Sequence, residues 1–160
     1  MRKLNLHKLV QTLNTLCNNL QDQYNINYGG CCFLAYEIAK HLDKLHIEYR
    51  LCIKNDFPLN NFSINNEIKN RTFNKLGGSH SVTRYNTCCH YYLFINRGGF
   101  INPGNVGKYY IQTISGINYK HIKWIYNTGS WNDNYDIRSN KFIKKAINSY
   151  FKQYEKIYSN

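Results

Sequence analysis

Two glycines and two cysteines, Gly29-Gly30-Cys31-Cys32, open a run of apolar residues at helical spacing. A thiol attacks as its thiolate, and a free cysteine is only a few per cent ionised at neutral pH. A helix N-terminus presents unpaired N–H groups and about half a positive charge, which favours the thiolate. The paired glycines allow the chain to turn sharply before the helix and to approach a substrate closely. Cys31 meets these requirements, and its own N–H is a natural donor to an oxyanion, with Asn25 or Asn27 of the preceding turn as a side-chain donor. Adjacent helical positions differ by about 100°, so only one of Cys31 and Cys32 can face a given base. His90 begins an aromatic, β-prone run, and Asn102 ends the run that returns through Asn96-Arg97-Gly98-Gly99. In an antiparallel hairpin these two ends are neighbours, so Asn102 can orient His90. His80, in Ser79-His80-Ser81-Val82, is the alternative base. A nucleophile, a base and an orienting group together perform acyl transfer without a cofactor.

These residues need elements to hold them. Residues 4–20 repeat apolar side chains three and four apart and predict a helix. A second helix begins at Cys31, with Cys31, Leu34, Ala35, Ile38, Ala39, Leu42 and Leu45 inward and Glu37, Lys40, Asp43 and Lys44 outward. Ile47 to Ile53 reads as a strand, and the polar stretch 54–79 as a long loop that forms one wall of the cleft. The hairpin runs over His90–Ile95 and Phe100–Asn102, a further strand lies around Lys120–Tyr126, and a helix closes the chain from Ile137 to Tyr158. That order is α+β, one domain over 1–160. His7, His41, His46 and His121 read as surface or helix-face residues.

The formal charge is +12, with Lys and Arg spread along the chain. Such a balance suits a nucleic acid or another polyanion, and Tyr beside Lys or Arg can stack on bases, but no nucleic-acid motif is present. The plainer reading places those side chains on the polar, solvated faces of helices. Lys141, Lys144, Lys145, Lys152 and Lys156 read as the solvated side of the last helix. The Met1-Arg2-Lys3 start leads into an amphipathic stretch, the pattern of neither a signal peptide nor a membrane span. The six cysteines, two of them in each of the pairs Cys31-Cys32 and Cys88-Cys89, are then expected as reduced thiols of a cytoplasm. Abundant Asn, Lys, Ile and Tyr reflect AT-rich codons, as in phage, low-GC bacterial or protozoan genomes; for a phage protein the compartment is the host cytoplasm. Zinc is the competing chemistry for Cys31, Cys32, Cys88, Cys89 and His90, but adjacent cysteines lack the gap that lets one turn chelate a metal. No metal is expected.

The run from Gly29 to Leu51 resembles the nucleophile helix of the papain-like and transglutaminase-like cysteine hydrolases. Gly29, Cys31, Ala35, Ile47 and Arg50 stand at that family's Gly-x-Cys element, its small residue four positions on, and its exit into a strand. The run from His90 to Gly104 resembles the second motif, with His90, Tyr92, Gly98, Phe100, Asn102 and Pro103 in place. The resemblance implies a nucleophile helix packed on a small antiparallel sheet. It also implies a Cys31-His90-Asn102 triad that hydrolyses a peptide, isopeptide or other amide bond of a peptide or protein substrate, or transfers the acyl group to an amine. His46 departs from the Gly usual before Ile47, and Asn102 from the Asp of transglutaminases toward the Asn of papain-like proteases. The small size and the ending of the chain are similar to compact papain-like proteins of phage genomes. The Gly-Gly-x-Cys pattern of arylamine N-acetyltransferases would select Cys32 instead.

Overall fold

The computed structural model describes residues 4–55, 89–104, 110–128 and 135–158. Helix α1 spans Leu6–Tyr24 and starts where the Asn5 side chain accepts the Lys8 N–H at 3.0 Å. It ends at Asn25, in the left-handed conformation with φ 58°. Leu9, Val10, Leu13, Cys17 and Leu20 form its buried stripe. Helix α2, Cys31–Lys44, ends at a left-handed His46 (φ 56°). The His46 N–H bonds to Asp43 O at 3.1 Å and the Ile47 N–H to Leu42 O at 2.9 Å, the paired bonds of a Schellman end. Glycine is the usual residue at that point, which is why a histidine there stands out.

Because Ile47 is still tied to the last turn of α2, strand β1 begins only at Arg50 and runs to Asn55, later than the expected Ile47. Strands β2 (Cys89–Ile95) and β3 (Gly99–Ile101) form the expected hairpin, and β4 (Tyr110–Ile114) pairs with β1. The sheet is antiparallel throughout, in the order β3-β2-β1-β4. Alternation gives one face to Leu51, Ile53, Tyr91, Leu93, Ile95, Ile101 and Ile114, all buried. Against it lie Leu34, Ala35 and Ile38 of α2. Each such Ile or Leu side chain removed from water contributes about 1.5–3 kcal/mol. The architecture is α+β.

The segment 120–126 is not a strand. It lies in helix α3, Tyr119–Thr128, which packs on α2. Ile122 and Ile125 are both buried, a three-residue spacing that a strand would place on opposite faces. Asn118 starts the helix by accepting the Lys120 N–H, and the Tyr119 N–H bonds to Asp43 Oδ2 at 2.9 Å. Helix α4, Asn140–Tyr158, follows a single 3₁₀ turn and buries Ile143, Ile147 and Phe151, with Lys141, Lys144, Lys145 and Lys152 outside.

Helices α3 and α4 both cover α2, which corrects the expected polar side of that helix. Glu37 is buried, its Oε2 2.8 Å from Lys40 Nζ as an ion pair rather than an aligned hydrogen bond. His41 is no surface residue either. Its ring stacks on Phe151 at 4.4 Å and its Nε2–H donates to Asn148 Oδ1 at 2.8 Å. Tyr150 joins α4 to α1 by donating to Leu9 O at 3.1 Å. Among the described residues no helix is long and apolar enough to cross a membrane.

Candidate active site

The turn before α2 needs both glycines for different reasons. Gly29 has φ 124°, which side chains rarely adopt. At Gly30 an added Cβ would lie 2.7 Å from the Tyr135 ring and 2.9 Å from Ile26 O. Gly30 is also the N-cap, so no side chain caps α2, and no acidic residue stands in its first turn. The positive end of the helix is therefore not offset by a neighbouring carboxylate of its own first turn.

The two adjacent cysteines separate as helix geometry requires. Cys32 is fully buried, its thiol 3.8 Å from Ile122 O in α3. Cys31 faces β2. Strand β3 stops at Ile101, opposite Leu93, and beyond that point the Tyr91 N–H donates to Cys31 Sγ at 3.5 Å. Cys31 is 2% exposed and shares with Asn102 a crevice too narrow for water, so Sγ is closed to solvent in this conformation.

His90 sits next to Tyr91 on β2, half-buried, its ring leaving the face opposite to the Tyr91 side chain and stacking on Tyr92 at 5.7 Å. Its Nε2–H donates to the backbone carbonyl of Asn102 at 2.8 Å, which leaves Nδ1 as the basic nitrogen of the neutral ring. Burial lowers its pKa; the Asn102 carbonyl works the other way, and the Lys54 charge adds to the lowering. Cys31 thus lies at the strand edge beside Tyr91 and His90 one residue away, with Asn102 touching the imidazole.

Asn102 meets the imidazole through its main chain and not its carboxamide. Its backbone is left-handed (φ 55°), so the main-chain carbonyl serves the ring. The carboxamide Nδ2 donates to Asn27 Oδ1 at 2.9 Å, and the Asn102 N–H donates to Asn14 Oδ1 at 2.7 Å. Asn27 is therefore joined to the site. Asn25 is exposed and belongs to the end of α1, its Oδ1 accepting from Gln21 Nε2 at 3.2 Å. His80, Cys88 and residues 56–79 of the expected cleft wall lie outside the described residues, as does the Cys89 side chain.

Two contributors were missed by sequence reasoning. Asn14 reads as one more polar position on α1, yet it braces the end of β3, also donating to Phe100 O at 2.7 Å. Lys54 reads from the sequence as the start of a loop, but it lies inside β1, buried, with Nζ donating to Pro103 O at 2.8 Å. A lysine among β-branched and apolar strand residues was the available signal. Among the described residues no three His, Cys, Asp or Glu side chains are grouped as a metal site requires. Compared with protein-family models, curated proteins and solved structures, the chain matches none.

Proposed function

We propose that this chain is a cysteine hydrolase of papain-like or transglutaminase-like architecture, acting on a peptide, isopeptide or other amide bond. The observation that carries the reading is the gap where β3 ends: Cys31, at the uncapped start of α2, takes the Tyr91 N–H there, and the neighbouring His90 bonds to Asn102. The resemblance of both motifs to that superfamily adds to it, and so does the left-handed backbone at His46, where the family places Gly.

In this mechanism Cys31 Sγ attacks the carbonyl carbon as its proton passes to His90 Nδ1, the two atoms coming within hydrogen-bond reach as the crevice opens. The oxyanion is met by N–H groups at the start of α2, with Asn27 as the side-chain donor. The C–N bond then breaks, the imidazolium gives its proton to the leaving amine, and the acyl group stays on sulfur. Water, deprotonated by His90, releases the acid and restores the thiol; an amine in place of water would give transamidation. Asn102 holds the ring through both halves.

A simple active ester tests this without knowledge of the natural substrate. Acylation mapped by mass spectrometry is expected on Cys31, absent in Cys31→Ala and strongly slowed in His90→Ala. Acylation confined to Cys32, or spread evenly over the thiols, would refute it. The net charge of +12 and the exposed lysines of α4 favour a second reading, a basic module that binds nucleic acid or a protein partner. Salt-sensitive nucleic-acid binding by Cys31→Ala, with no acylation of the parent chain, is its signature.

A further inference from the structure

Lys54 and His90 are directly opposed across the β1–β2 pair, so their side chains leave the same face of the sheet. Both reach the Tyr92 ring, Lys54 Nζ at 5.4 Å from its centroid and the imidazole stacked at 5.7 Å. Both also hold the same turn: His90 Nε2 bonds to Asn102 O, and Lys54 Nζ to the next carbonyl, Pro103 O, each at 2.8 Å. Gly104 completes the fit, since a Cβ there would stand 3.0 Å from His90 Nε2.

We propose that Lys54 is a positioning residue for His90, bracing the turn that presents Asn102 O to the ring and fixing a positive charge across the strand pair from it. Among the described residues the titratable groups around the imidazole are Lys54 on β1, Tyr92 and Cys52 on the same face, and Cys31 of α2 at the strand edge. Burial pushes Cys52 up to about 11 and also raises Tyr92, so both are neutral at physiological pH. Two cations share this face of β1: Lys54 directly opposite the ring, its own pKa lowered by burial, and Arg50 four residues back, opposite Phe94. A cation so placed opposes a second proton on the ring. His90 is thereby kept as a neutral base, with Nδ1 carrying the lone pair. The site then works by general-base removal of the thiol proton at the moment of attack, rather than from a stored thiolate–imidazolium pair. This deepens the hydrolase reading and rests on it for its catalytic meaning, but not for its measurement.

The test follows the His90 ring resonances through a pH titration by NMR, with Lys54→Gln removing the charge and Lys54→Arg keeping it. The His90 midpoint is expected to move up in Lys54→Gln and to stay near the parent value in Lys54→Arg. The acid limb of the pH profile for ester acylation at Cys31 should move up with it. A midpoint that is unchanged or lower in a folded Lys54→Gln overturns the proposal. Should Lys54→Gln fail to fold, the parent protein suffices: coupling is reciprocal, so the Lys54 Cε resonance must show an inflection at the His90 midpoint, and a flat trace overturns the proposal. The ring titration needs no reaction at Cys31. Absent acylation with a Lys54-dependent midpoint therefore sinks the hydrolase reading alone, and acylation with a Lys54-independent midpoint sinks this one alone.

Discussion

Alkylation by a small reagent such as iodoacetamide at about pH 7.5 separates the described thiols by amounts that the structure sets. Cys17 is fully buried in α1 and burial pushes it up to about 12; Cys52, in β1, is pushed up to about 11, burial outweighing the nearby Arg50. At that pH their thiolate fractions are about 3 × 10⁻⁵ and 3 × 10⁻⁴, against about 0.1 for an ordinary thiol. A more basic thiolate is intrinsically more nucleophilic, which recovers a little under half of each logarithm. What remains is a deficit of roughly 80-fold for Cys17 and 20-fold for Cys52, before any shielding by burial. If the crevice at Cys31 opens and the thiol there is at least as ionised as an ordinary one, Cys31 should outrun both by those factors. His90→Ala should remove much of the advantage. The assay is a labelling time course read by peptide mass spectrometry in a Cys32→Ser background, which separates the adjacent thiols. A Cys31 rate within about twofold of Cys17 or Cys52, or one indifferent to His90→Ala, would refute the reasoning, because the 2% exposure would then describe a core thiol and nothing more.

Three further outcomes are expected. Gly30→Ala should destabilise by about 1–3 kcal/mol, because its methyl would meet the Tyr135 ring, which can yield, and Ile26 O, which is backbone and cannot; the urea midpoint should fall with the slope unchanged. His46→Gly should stabilise by about 0.5–1 kcal/mol and so raise the urea midpoint, since glycine relieves the left-handed backbone that ends α2 while giving back part of the gain as unfolded-chain entropy. The pH dependence follows from His90, whose pKa is lowered in the fold, chiefly by burial. The unfolded chain then binds the extra proton, so this contribution is intact above the unfolded value of about 6.5 and is lost as the pH falls from there toward the lower folded value. A chemical-denaturation series should show that acid limb in the parent and a flatter one in His90→Gln; equal limbs would mean that His90 is not the group responsible.

How much of this was legible before folding can be judged residue by residue. The helical stripe from Leu9 to Leu20, the helix starting at Cys31 and the hairpin around Gly98-Gly99 are written in local spacing and turn chemistry, which neighbours in the chain enforce by themselves. Cys31, His90 and Asn102 stand out on that local pattern alone, and the resemblance noted for Gly29–Leu51 and His90–Gly104 leads to the same three residues. Segment 120–126 reads as a strand because Ile122, Trp124, Ile125 and Tyr126 suit one in isolation, while packing on α2 selects the helix Tyr119–Thr128. Glu37 and His41 looked solvent-facing because nothing in the α2 sequence shows that two later helices will cover them.

The site divides the same way. Local sequence determined which residues have suitable chemistry and that Cys31 begins a helix after a paired-glycine turn, Gly29 supplying its positive φ. Tertiary structure alone decided that Cys31 rather than Cys32 meets the strand of His90, and that Asn102 reaches the ring by its carbonyl while its carboxamide turns to Asn27. It alone set Lys54 opposite the imidazole. The physical reason is the range of the interactions. Periodicity and turn preference act over a few residues, whereas a hydrogen-bond partner is chosen by whichever polar group the packed elements bring within bonding reach, often 60 or more residues away.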